Sequence, residues 1–247
     1  MHSRPRFFIT GKILDVGEKY PLSADDSNHA ASVLRLGKGS AVEISDGAGR
    51  CFAAEITRMT KKAVEVLIKK PCAKGSEPPL AITLAQGLLK GRKMDLVIRQ
   101  AVELGVARVI PLITARSVPA LEGQRADTRI ERWQKIARSA AQQSRREIIP
   151  RVEAPVCLAD FCADHGSEGE IVLVFWEGRK EKGLLLERDG NSSRGVSGMT
   201  VVVGPEGGFS AEEIESLRRC HAIIAGLGPR VLRAETAAVV GLALVQA

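Results

Sequence analysis

The 247-residue sequence has no CxxC pair, and its five cysteines (Cys51, Cys72, Cys157, Cys162 and Cys220) are odd in number and scattered. That pattern excludes a disulfide framework and a zinc site with ligand spacing, and it leaves small, partly buried thiols in a reducing compartment. No apolar run reaches the roughly eighteen residues that a membrane span requires. The opening MHSRPRFFIT lacks an apolar core long enough for a signal peptide, so a cytoplasmic location is expected. GxxxxGK followed by Ser or Thr is absent, and the glycine-rich loops lack GxGxxG spacing, which argues against nucleoside triphosphate and NAD pockets. There is no internal repeat and no low-complexity tract, and nothing in the sequence asks for a metal.

What the chain does carry is basic charge. Lys plus Arg number 36 against 29 Asp plus Glu, a net charge of +7 with pI near 9.3. Such a surplus speaks of partners and not of fold, with nucleic acid the usual reason. The composition, 45% apolar and 26% charged, is that of a globular protein.

Two grammars follow one another along the chain. Residues 1–72 read as short strands: Phe7-Phe8-Ile9, Ala41 to Ile44, Cys51 to Ile56 and Ala63 to Ile68, with a hairpin turn at Ser45-Asp46-Gly47-Ala48-Gly49. Only Asp25 to Leu34 looks helical, so a small β-barrel is predicted. Residues 73–79 read as a linker. Residues 80–247 then alternate strands (Leu80 to Gln86, Val106 to Leu112, Ile171 to Phe175, Val201 to Val203) with helices (Met94 to Leu104, Arg129 to Ser144), which implies a mostly parallel sheet covered on both faces. Glu177 to Ser197, polar and Gly-rich, reads as helix or loop with a mobile part. The apolar stretch from Ala237 to Ala247 must be buried, in the core or against a second subunit.

The richest segment runs from Val201 to Glu235. Val201 to Val203 feeds Gly204-Pro205-Glu206-Gly207-Gly208, after which Ser210 with Glu213 forms a capping box. A second apolar run, Ala222 to Leu227, ends in Gly228-Pro229-Arg230, and a helix begins near Arg233. Two Gly/Pro loops at the carboxyl ends of neighbouring strands mark the usual ligand position in open α/β sheets, although either turn alone is more often structural.

The basic charge concentrates on one helix, where Arg125, Arg129, Arg132, Lys135, Arg138, Arg145 and Arg146 outnumber Asp127 and Glu131. A surface for a phosphate backbone is favoured over a solvated face. Trp133 on that helix packs into the core or a subunit contact rather than on a base. In the first domain Arg4, Arg6, Phe7, His29 and Arg35 suggest a basic patch with aromatic company; His29 alone reads as a surface residue.

Taken in order, these pieces resemble the RsmE family of SPOUT-class RNA methyltransferases over essentially the whole length. The resemblance rests on Arg6-Phe7-Phe8, His29 to Leu36, Lys90 to Asp95 with Ala101 to Val106, Ala115 to Val118, and Glu131-Arg132-Trp133 through Gln143-Ser144. It is completed by Gly204 to Phe209 and Leu227 to Ala237. It implies an α/β fold: a SPOUT-type trefoil-knotted parallel-sheet domain preceded by a small PUA-like β-barrel domain, as a homodimer. The knot is not a reading that sequence patterns alone would reach. The implied activity is S-adenosylmethionine-dependent methylation of N3 of a uridine in 16S ribosomal RNA, as naked RNA or in the small subunit. The implied cofactor pocket comprises Trp176, Glu177 and Gly178; Gly204, Pro205, Glu206, Gly207 and Gly208; and Leu227, Gly228, Arg230, Val231 and Leu232.

Methylating N3 requires that the imide proton leave, because the neutral nitrogen is a poor nucleophile. Arg233 is the first candidate for stabilising the uridylate anion and Arg116 the second, while no general base is identified. Glu206 either offsets the cofactor's sulfonium, as does Glu177, or bonds loop amides. The RNA-contact candidates are Arg6, Phe7, His29, Arg35, Arg132, Arg138, Arg145 and Arg146. One departure is that the family commonly has a small residue or glycine after Gln-Ser, where this chain has Arg145-Arg146. Two other readings are a ribosomal RNA-binding assembly factor without catalysis and a sister SPOUT enzyme acting on another RNA site; the intact 204–208 and 227–237 loops speak against the first.

Overall fold

The computed structural model describes residues 4–60, 63–73, 75, 77–117, 124–165, 169–178 and 198–246, with the side chains of 124 and 125 excepted. The 179–197 stretch, Lys74, Ser76, Val118 and the Arg125 side chain, all part of sequence readings above, lie outside that set. The chain forms two compact units, Met1–Glu77 with Ala141–Ile149, and Pro78–Ala140 with Pro150–Ala247. The first break falls inside the stretch read as a linker; the short 141–149 return to the first unit was not anticipated.

In the first unit five strands hydrogen-bond in the order β1-β3-β4-β5-β2. They are β1 (Arg6–Phe8), β2 (Lys19–Pro21), β3 (Ala41–Ser45), β4 (Cys51–Met59) and β5 (Val64–Pro71). The alternation Val64, Val66, Ile68 on β5 meets Val42 and Ile44 on β3 and Phe7 on β1 in one core, because successive strand residues face opposite sides. β2 was missed by sequence reading: its three residues, KYP, show no alternation, and Pro21 is tolerated because β2 is an edge strand. The expected helix starts as α1 (Ala24–Asn28), capped by Ser23, whose oxygen accepts from the Asp26 N–H at 3.1 Å. It continues as a π-helical turn over His29–Val33, with the Leu34 N–H bonded to the His29 carbonyl.

The second unit holds a parallel sheet ordered β12-β10-β11-β6-β7-β8, with β9 also paired to β7. These strands are β6 (Ile82–Gly87), β7 (Arg108–Ile113), β8 (Arg151–Val152), β9 (Val156–Cys157), β10 (Glu170–Phe175), β11 (Gly198–Val203) and β12 (Ile223–Ala225). β6 is buried at every residue, as parallel strands covered on both faces must be. The helices are α2 (Lys93–Glu103), α3 (Gln124–Gln143), α4 (Leu158–Asp164), α5 (Ala211–Arg219) and α6 (Ala234–Gln246). Trp133 on α3 is 2% exposed, a core residue. No helix among the described residues is long and apolar enough to cross a membrane.

Three helices end in the same way. The N–H two residues past the cap bonds back to the carbonyl five residues earlier: Val106 to Ala101, Arg146 to Ala141 and Ala222 to Leu217. The residue before each of these donors is left-handed: Gly105 (φ 87), Arg145 (φ 61) and His221 (φ 61). The arginine noted above as a departure therefore occupies the position where a helix terminus favours glycine. Arg145 remains exposed there, and its Nη2 donates to the Arg4 carbonyl at 3.0 Å.

The next residue, Arg146, is buried and holds the 141–149 segment within the first unit. Its Nη2 donates to Glu77 Oε2 at 2.7 Å, while Glu77 Oε1 accepts the N–H groups of Glu147 (2.8 Å) and Ile148 (3.2 Å). Burial alone would raise the Glu77 pKa, but the Arg146 bond and charge and the two amides outweigh it, and the net shift is below the ordinary 4.5. A lowered carboxylate pKa contributes stability that is complete above 4.5 and is lost as pH falls through the folded value. Replacing Glu77 with Gln leaves the Arg146 charge short of its partner and is expected to destabilise the protein by about 3 kcal/mol at neutral pH. Urea denaturation from neutral to acid pH reads both effects, and the variant should lose part of the acid-side slope as well.

Candidate functional site

β12, β10 and β11 are neighbours, run parallel, and end level with one another. Phe175 is paired with Val203 on one side and Ala225 on the other. Their three following loops therefore leave the same edge of the sheet together, starting at Trp176, Gly204 and Gly226. Between these loops and the first turn of α6 lies a cavity of about 350 Å³, within the range of small-molecule sites.

The 204–208 loop is held by contacts that none of its own residues advertise. Gly87, at the end of β6, lets it come close: a Cβ there would stand 2.5 Å from the Pro205 nitrogen. Gln86 Nε2 donates to the Gly204 carbonyl at 3.0 Å. Arg116 Nη1 donates to the Gly207 carbonyl at 2.8 Å. Gly208 has φ +67 and closes a turn through its N–H to the Pro205 carbonyl at 2.9 Å. Ser210 and Glu213 then form the predicted capping box at the start of α5. The other oxygen of Glu213 accepts from the Ala115 N–H at 2.7 Å, tying in the loop that carries Arg116.

The remaining walls come from the 227–233 segment and α6. Gly241 of α6 rests against the Phe175 ring, where a Cβ would lie 2.5 Å from the ring edge. This close packing brings Ala234, Glu235 and Ala237 to the cavity beside Leu227, Gly228 and Leu232. Val231 is 80% exposed at the rim. The charged residues of the wall are Lys93, Arg230, Arg233, Glu177, Glu206 and Glu235, three of each sign. Glu206 Oε1 accepts the Lys90 N–H at 3.1 Å and Lys93 Nζ at 3.0 Å. Burial works to raise the Glu206 pKa, but the Lys93 bond and the Lys90 amide outweigh it and the net direction is down. Glu206 is thus an anion that straps the loop to the start of α2 and bonds a loop amide. The guanidinium groups of Arg230 and Arg233 are exposed, with no partner among the described residues.

All the predicted pocket residues line the cavity except Gly178 and Gly207. Gly178 lies against the Trp176 ring, and Gly207 against the Arg116 side chain. Arg233 lines the cavity, whereas Arg116 holds its loop from outside. Sequence reading missed Lys93, Phe175, Val203, Ala234, Glu235 and Ala237 as lining residues. Lys93 and Glu235 fall inside quoted motifs, and only the fold brings them together.

The predicted RNA contacts divide by burial. Arg6 and Phe7 are corrected: Phe7 is fully buried, and the Arg6 side chain is 8% exposed, bonded to Glu43 at 2.8 Å and to the Arg145 carbonyl. Arg146 is corrected likewise, being bound to Glu77. A guanidinium buried against a carboxylate is withdrawn from the surface on which a phosphate would approach. Arg132 stays half-exposed but pairs with Asp95 of α2, and Arg138 is partly buried. His29, Arg35, Lys135 and Arg145 are exposed. Among the described residues no cluster of His, Cys, Asp or Glu could hold a metal ion.

A family model described as RNA methyltransferase domain matches residues 76–246, and one described as RNA methyltransferase PUA domain matches residues 22–69. The Ribosomal RNA small subunit methyltransferase E of Bacillus subtilis is 30% identical over 243 residues, 97% of this chain and 95% of that protein. The Aquifex aeolicus protein of the same name is 37% identical over 193 residues, 77% of this chain and 79% of its own length. Among solved structures, the Neisseria gonorrhoeae Ribosomal RNA small subunit methyltransferase E bound to S-adenosyl methionine superposes with TM-score 0.87 at 30% identity, covering 99% of this chain and 97% of that one. A putative methyltransferase of Legionella pneumophila in complex with the bound cofactor SAM gives TM-score 0.83 at 30% identity, with the same coverage.

The close approach at Gly87 sets a direct test of the loop's support. Gly87→Ala forces a methyl group against the Pro205 backbone, so the 204–208 loop must shift. A destabilisation of about 1–3 kcal/mol by urea denaturation is expected, as for other overpacked sites. An unchanged midpoint would mean that the loop is free to move away.

Proposed function

From the premise that the chain belongs to the ribosomal RNA small subunit methyltransferase E family, we propose that it methylates N3 of a uridine in small-subunit ribosomal RNA. S-adenosylmethionine is the methyl donor, and when bound it supplies an electrophilic methyl group on a positively charged sulfur. The observation that carries the reading is the cavity at the level strand ends, whose charged wall is balanced, three against three. A pocket with surplus cations would repel a sulfonium; this one does not. Its glycines bring main-chain N–H and C=O groups within reach of an adenine edge, and Leu227, Val231 and Leu232 offer apolar faces for the ring.

The chain's own residues then have distinct tasks. Trp176, Glu177, Gly204, Pro205, Gly208 and the 227–232 segment shape the cofactor site, with Gly178 and Gly207 behind them. Arg233, which has no partner among the described residues, stabilises negative charge on the uracil oxygens once the imide proton has gone. Arg116 is a positioning residue that acts through the Gly207 carbonyl. Exposed His29, Arg35 and Arg145 of the first unit meet the RNA backbone, and in the second unit Lys135, Arg132 and Arg138 on α3 do so as well. The active form is a homodimer in the cytoplasm, and the second unit carries the SPOUT-type trefoil knot. The exposed apolar residues on α6, such as Leu244, which is 48% exposed, support a subunit contact.

Arg233→Ala is expected to lower methyl transfer by about 100-fold or more while leaving cofactor affinity by calorimetry within a few-fold. Near-normal turnover would remove the role given to Arg233. Mass spectrometry of the modified nucleoside tests the reading itself, since a methyl group on any atom other than uridine N3 would overturn it. For the RNA surface, Arg35→Ala should reduce the slope of log affinity against log salt by about one, with cofactor binding untouched. An unchanged slope would place the phosphate contacts elsewhere.

A further inference from the structure

Resting on the uridine-N3 reading, we propose that Glu235 is the general base that takes the imide proton. Its carboxylate lines the cavity from the first turn of α6, the same helix start that carries Arg233 to the rim. Its side chain is only 14% exposed, and Oε2 is buried without a hydrogen-bond partner among the described residues. Among the described residues the cation that approaches it is Lys93, whose Nζ is 3.9 Å away and bonds more closely to Glu206 at 3.0 Å. Other carboxylates of this unit that are largely out of water are satisfied: Glu206 accepts two donors, Glu213 bonds Ala115 and Ser210, and Asp95 holds Arg132. Leaving a carboxylate oxygen withdrawn from water and unpaired is costly, so such a group asks for a donor that arrives with the ligand.

The uracil edge supplies one. It presents an N–H between two carbonyl oxygens, an acceptor-donor-acceptor pattern. Glu235 accepts the N–H, and Arg233 donates to a flanking carbonyl. Cytosine is rejected by the same contact, because its N3 carries a lone pair that would face the carboxylate. The proton leaves first. The N3–H bond breaks as an O–H bond forms on Glu235, and the resulting charge spreads onto the uracil oxygens beside Arg233. The exposed N3 lone pair then forms the N–CH₃ bond as the donor's S–CH₃ bond breaks, with that electron pair staying on sulfur. Glu235 finally releases its proton to solvent. Besides Arg233, the charged groups that share the cavity with it are Lys93 from α2, Glu206, Glu177 and Arg230.

The test is single-turnover methyl transfer by Glu235→Gln at saturating cofactor, from about pH 6 to about pH 9, on RNA carrying uridine or the more acidic 5-fluorouridine. A general base of this kind contributes about 10²–10⁴-fold, so a loss of about 100-fold or more is expected at neutral pH with uridine. The variant's rate should climb about tenfold per pH unit as solution hydroxide takes over. 5-Fluorouridine RNA should recover at least about tenfold of the loss. Glu235→Asp, which keeps a carboxylate, should retain the wild-type pH profile at a lower rate. Calorimetry should find cofactor affinity in Glu235→Gln weakened by no more than about tenfold, the change expected from removing one of the three carboxylates of the wall. Three results would overturn the assignment: a near-normal rate, an equal loss on both RNAs, or cofactor binding weakened more than about tenfold. If instead the wild-type protein binds cofactor and leaves N3 unmethylated, the reading beneath falls, and the inference with it.

Discussion

Phe175 stands level with Val203 on one side and Ala225 on the other, and the cavity depends on that alignment. Three parallel strands that ended at different heights would send their loops into solvent one at a time, with no shared wall. The same phenylalanine takes the contact of Gly241 from α6, so one side chain sets both the floor of the site and the seat of the helix that closes it. Adding a methyl group at Gly241 would lift α6 away, taking Arg233 and Glu235 with it.

A second requirement is that glycine-rich loops be held without surrendering their main-chain groups to bulk water. Here the restraint comes from outside the loop: Gln86 on one carbonyl, Arg116 on another, and Lys93 on the Glu206 carboxylate. None of these anchors fills the space between the loops except Lys93, and its charge is already matched. These bonds restrain the loop from within the chain itself, which limits the ordering entropy that binding would otherwise cost.

How much of this was legible depended on whether the cause was local. The apolar runs of β10 and β11 declare themselves, and so does the Ser210–Glu213 box, because both ends of that interaction lie within four residues of chain. The arginine at 145 carries a local signal as well, once the left-handed helix terminus that it occupies is known. Contacts between distant residues were not legible. Nothing in the sequence couples Arg146 to Glu77, 69 positions away, or Gly87 to Pro205. As a result, arginines that look alike in a basic sequence separate only in the fold. Arg6 and Arg146 are bonded to carboxylates and carbonyls, Arg116 to a loop, and Arg230 and Arg233 have no partner among the described residues.

That separation also explains how a chain of net charge +7 can present a cavity whose charged wall sums to zero. Attraction of a polyanion works over a Debye length, so exposed cations such as Arg35 and Lys135 act wherever they sit on the surface. A small cationic ligand responds to charges within a few ångströms, and for it the wall is what counts. Glu206 and Glu235 flank Lys93 there and outnumber it, and with Glu177 they offset Arg230 and Arg233 as well. Because Lys93 bonds Glu206 at 3.0 Å and approaches Glu235 only to 3.9 Å, the two carboxylates are unequal. One is fixed as a strut, and the other keeps its lone pairs for chemistry.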